Sequence, residues 1–68
     1  MKSVSGKEFA KLLLSKGWKL KAVNGNHHVY MRDGRPFRLS VPIHGNQSLK
    51  IGLLKHLMNL ADIMPDDL

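Results

Sequence analysis

Trp18-Lys19-Leu20-Lys21-Ala22-Val23-Asn24-Gly25-Asn26-His27-His28-Val29-Tyr30-Met31 reads as two strands around a tight turn, and the rest of the chain is arranged about it. Trp18, Leu20 and Ala22 alternate with Lys19 and Lys21, the period-two pattern of a half-buried strand. Asn24-Gly25 is a strong hairpin signal, because both residue types accept the positive φ that tight turns demand. His27 to Met31 is then a second strand. Downstream, Asp33-Gly34 marks another turn. Phe37, Leu39 and Val41 alternate with Arg38 and Ser40 in a third strand, bracketed by Pro36 and Pro42. Three strands joined by tight turns predict an antiparallel meander.

A helix is expected on each side of it. Ser5-Gly6-Lys7-Glu8 fits a capping box with Ser5 as N-cap and Glu8 at N3, and Val4 with Phe9 fits a hydrophobic staple. Phe9, Leu12 and Leu13 recur at helical spacing and Gly17 is a stop signal, which places the first helix at about residues 6 to 16. In the second helix Leu53, Leu54, Leu57, Leu60 and Ala61 form an apolar stripe. Ser48 is its candidate cap, and Lys50, Lys55, His56 and Asn59 face solvent. Gly52 belongs either to the first helical turn or to a close approach between helix and sheet. Met64 to Leu68 reads as a frayed end. The expected class is α+β, ordered α-β-β-β-α. Both apolar helix faces are served most simply by packing on one side of the three-stranded sheet, as in the double-stranded RNA-binding domain.

At 68 residues, the chain 1–68 is expected to form one domain with a thin core. It has no cysteine for a disulfide or thiolate site, yet 43% apolar residues suffice for packing. Met1-Lys2-Ser3 leads straight into a polar amphipathic stretch, so no signal peptide is expected and the cytoplasm is the expected compartment. No apolar run approaches the roughly 20 residues of a membrane span. Eleven Lys and Arg face five Asp and Glu, a formal net charge of +6. Three of those acids, Asp62, Asp66 and Asp67, fall in the last seven residues. Such a field favours polyanions, and nucleic acid is the leading partner. Lys19, Lys21, Arg32, Arg35 and Arg38 are candidates for phosphate contact, although each taken singly is also what an ordinary solvated charge looks like.

Three segments carry a resemblance. They are Leu14-Ser15-Lys16-Gly17-Trp18, then Gly25-Asn26-His27-His28-Val29-Tyr30, then Val41-Pro42-Ile43-His44-Gly45-Asn46 followed by Leu49-Lys50-Ile51-Gly52-Leu53-Leu54. In this order and spacing they resemble the HicA toxins, mRNA interferases of type II toxin–antitoxin systems, over about residues 5 to 63. The first is similar to the family's leucine-leucine and glycine-tryptophan opening, the second to its Gly-Ser-His segment, the third to its Val-Pro-x-His and Leu-Lys-Pro-Gly-Thr-Leu pair. Asn26 stands where the family has serine, and Ile51-Gly52-Leu53 where it has Pro-Gly-Thr. The resemblance implies an endoribonuclease acting on mRNA through a histidine at the His27 position and restrained by a HicB-type antitoxin; the proton-transfer chemistry of such a residue is expected to need no metal or other cofactor.

Residue chemistry is consistent with that. RNA cleavage moves one proton off a 2′-hydroxyl and another onto the departing 5′-oxygen, and an imidazole does either near neutral pH. A nearby Lys or Arg stabilises charge at phosphorus. Strand parity leaves His27 and His28 both open as the catalytic group. If Val29 faces the core, His28 is on the open face, whereas His27 has the strand's mouth beside a glycine turn. Tyr30 has either a base-stacking or a packing role. His44, at a strand end, either orients substrate or fixes its loop, and His56 is given no role. Adjacent strand histidines point to opposite faces, so a shared metal is not expected. The alternatives are a non-catalytic RNA-binding module and, behind it, a DNA-binding protein, for which no recognition helix stands out.

Overall fold

A computed structural model describes residues 3–68. The elements are α1 (Gly6–Ser15), β1 (Lys19–Asn24), β2 (His27–Met31), β3 (Leu39–Pro42), α2 (Ile51–Ala61) and a closing 3₁₀ turn, Pro65–Asp67. The sheet is antiparallel throughout, in the order β1-β2-β3. The class is α+β with the order α-β-β-β-α.

Both ends of α1 are fixed by local sequence. Ser5 Oγ accepts the Glu8 amide, and the Glu8 carboxylate accepts the Ser5 amide in return, each at 3.1 Å. Val4 and Phe9 are both buried, as a staple requires. At the other end Gly17 takes φ +94, the Trp18 amide donates to the Leu13 carbonyl at 3.0 Å and the Gly17 amide to that of Leu14 at 3.2 Å. That is a Schellman stop, and it aims Trp18 into the core. Gly6 is required for a different reason. A Cβ there would collide with the Pro42 carbonyl oxygen, so α1 starts pressed against the end of β3.

The core lies between the helices and one face of the sheet. Phe9 and Leu13 from α1, Leu54, Leu57 and Met58 from α2, and Tyr30, Leu39 and Val41 from the strands are all buried. Trp18 is 1% exposed and packs near Phe37, ring centroids 6.2 Å apart.

Three expectations need correcting, and for Gly52 the first of two alternatives holds. β1 does not keep its alternation, because its register against β2 shifts between Leu20 and Ala22. Leu20 pairs with Tyr30 and Ala22 with Val29, so the two fall on opposite faces, and all of β1 is exposed, Leu20 included, where a half-buried strand was expected. A bulge at Lys21 adds the extra residue. Ser48 does not cap α2. It bridges to Ser5, and Lys50 takes the N-cap position with no side-chain cap bond. Gly52 lies in the first turn of α2 and a Cβ there would meet nothing within 4 Å, so no close approach requires it. The C-terminal residues are not frayed. Asp67 accepts the Met64 amide at 2.9 Å and the Lys16 ammonium at 3.0 Å, and Leu68 packs on the core.

Candidate active site

Gly25 has φ +60 while Asn26 keeps a negative φ, and Asn24 pairs with His27. The two-residue loop is therefore Gly25-Asn26 with glycine first, the pattern of a type II′ turn. This makes His27 the first residue of β2.

Pairing then fixes which way each histidine points. Tyr30, not Val29, is the buried residue of β2. His28 shares its parity and pairs with Val23 and Val41, so it turns toward the helices and is half-buried. His27 pairs with Asn24 and Pro42 on the opposite, open face and is exposed. The premise that would have put His28 outside fails because the bulky ring of Tyr30 takes the core position. Burial also pushes the Tyr30 phenol above its ordinary pKa, and its place in the core leaves no ring face for a base.

The open face continues away from His27. Val29 pairs with Ser40, and Lys19 with Met31, four residues along β2. At about 3.3 Å per residue, Lys19 lies about 13 Å from His27 along the strand. Arg38, just before β3, and Lys21, at the bulge of the edge strand, are both exposed. Register places Lys19 on the same face as His27. Arg35 is committed elsewhere, and half-buried Arg32 lies beside Gly17. Arg35 forms an ion pair with Asp62 beyond α2, and the Arg32 guanidinium lies 3.5 Å from where a Gly17 Cβ would sit.

His44 opens a tight turn in which the Gln47 amide donates to its carbonyl at 3.0 Å, with Gly45 at φ +56. The Ile43 amide donates to the Asn26 carbonyl at 2.7 Å, tying that loop to the hairpin that carries His27. His56 is exposed on α2. Among the described residues no three His, Asp or Glu side chains converge as a metal site would need, and no helix is long and apolar enough to cross a membrane. Sequence reading missed Asn24, Ser40 and Pro42 as neighbours of the exposed imidazole. Their proximity is a matter of cross-strand register, and only the turn type could have indicated it.

The molecule is thus a small basic α+β module of double-stranded RNA-binding-domain type, with a solvent-facing histidine at the mouth of its first hairpin. A family model described as the HicA toxin of bacterial toxin–antitoxin systems matches residues 6–63, and the chain belongs to that family. It is a toxin of a toxin–antitoxin system. Among curated proteins, none matches the sequence.

Proposed function

We propose that the protein is a toxin endoribonuclease in which His27 carries the proton transfers of RNA cleavage. The observation that carries this is the outward placement of His27 on the face that also bears Lys19. The His27 imidazole takes the 2′-hydroxyl proton as that oxygen bonds to phosphorus, and the P–O5′ bond breaks as the departing oxygen gains a proton. The products are a 2′,3′-cyclic phosphate and a 5′-hydroxyl. Lys19, Lys21 and Arg38 hold the flanking backbone. Arg35, paired with Asp62, and the half-buried Arg32 and His28 have lesser claims. The reaction uses no metal, and the natural brake is a HicB-type antitoxin that covers the open sheet face with acidic surface.

Induced expression should arrest growth and degrade RNA, and His27→Ala should abolish both while leaving the melting transition in place. Cleavage should persist after exhaustive chelation. Salt-sensitive RNA binding without cleavage, unaltered in His27→Ala, would identify a passive RNA-binding module instead.

A further inference from the structure

A second feature adjoins the open face and has no part in the proton transfers. A cleft of about 280 Å³ lies where β3 ends, between the loop after it and the first turn of α2. Half-buried Pro42 and Leu53 form its floor, and exposed His44, Gln47, Ser48 and Lys50 surround it. Two backbone links fix it beside the candidate catalytic residue. Pro42, in its floor, is the direct cross-strand partner of His27, and the Ile43–Asn26 hydrogen bond joins residues adjacent in sequence to His44 and His27. The cleft is ordered by its own backbone as well, through the His44–Gln47 turn and the Ser5–Ser48 bridge.

We infer that this cleft is a nucleotide subsite, taking the base next to the scissile phosphate of a single-stranded RNA. This rests on the RNA-cleavage reading of His27. The chemistry of the lining matches such a ligand. A planar base needs apolar surface on one side, which Pro42 and Leu53 supply. Its edge needs donors and acceptors, and the Gln47 amide offers both, as does the Ser48 hydroxyl. A phosphate beside it needs a cation, and Lys50 stands at the margin. RNA bases that are splayed from a stack are read in this way, by surface contact and edge hydrogen bonds together. The subsite gives the toxin a preference for certain bases at one position beside the cut. It assigns His44 and Gln47 to specificity, separate from the proton transfers of His27.

The test uses 2′-O-methyl oligoribonucleotides, which bind but cannot be cut because the attacking oxygen is capped. Amide NMR shifts of the full chain are recorded during titration, alongside cut-site profiles of wild type and the exposed-site variants His44→Ala and Gln47→Ala on natural RNA. Shifts at residues 44–53, a loss of about tenfold in oligonucleotide affinity in the variants and a flattened base preference are expected, a base contact being worth that order. Shifts confined to residues 19–31 and 38–42, with unchanged profiles in both variants, would overturn the subsite and leave the His27 reading standing. Occupancy of the cleft by a wild-type protein that cuts no RNA would do the reverse.

Discussion

An imidazole can pass protons to RNA only where solvent and substrate reach it, and at the first hairpin a single turn decides which histidine does. With Gly25 first in the loop, His27 opens β2 on the open face and His28 points inward beside Val41. Exchange of the two roles would require a slip of one residue, which would also bring Tyr30 out of the core. His28→Ala should therefore lower stability by about 1 kcal/mol through lost packing, while single-turnover cleavage stays near wild type. His27→Ala should do the opposite, moving thermal stability by no more than about 0.5 kcal/mol, as expected of an exposed side chain. A third substitution probes the junction of helix and sheet. Gly6→Ala should destabilise by about 1–3 kcal/mol, because its methyl meets the Pro42 backbone and not a flexible side chain. Denaturant titration reads all three, and a neutral Gly6→Ala would show that α1 can move off β3.

Among the elements, α1 was the most legible, since Ser5, Glu8 and Gly17 are local signals whose partners lie within a few residues. The second strand was legible for the same reason, and a glycine marked each hairpin, although the first loop is Gly25-Asn26 rather than Asn24-Gly25 and the second connection runs over residues 32–38. What escaped was set at longer range. The bulge at Lys21 depends on pairing with β2, the start of α2 on a bridge between Ser48 and Ser5, and the order of the C-terminus on Lys16, 51 positions away from Asp67. The inward turn of His28 likewise followed from which of Val29 and Tyr30 fills the core, which alternation alone left open. The C-terminal turn has a pH signature. The Met64 amide, and then the Lys16 ammonium, hold the Asp67 carboxyl below the usual carboxylate range. Because the folded value is the lower one, this contribution is complete above the unfolded pKa, about 3.9, and is lost as pH falls through the folded value. Asp67→Asn should thus lower the melting temperature more at pH 7 than at pH 2. An equal difference at both would remove the ion pair and amide bond as the cause.

Across the whole molecule, charge and face are separated. The sequence carries a net charge of +6, and two of its C-terminal acids, Asp62 and Asp67, are paired with Arg35 and Lys16. They lie off the open face that bears Lys19 and His27. Binding of single-stranded RNA should weaken steeply with salt, and Lys19→Ala should reduce the slope of log K against log salt by about 0.7, the loss of one phosphate contact. Arg35→Ala should leave that slope unchanged, and fluorescence anisotropy at several salt concentrations separates the two. The same exposed, basic surface suits an acidic antitoxin, and a thin core gains stability from any partner that binds only the folded chain. If one solvent-facing imidazole cuts RNA, mass spectrometry of the cleavage termini will show it. A defined oligoribonucleotide treated in excess chelator with the wild-type toxin should yield 2′,3′-cyclic phosphate ends. The same RNA treated with folded His27→Ala should stay intact. Equal cleavage by both proteins would show that His27 is not the group that cuts.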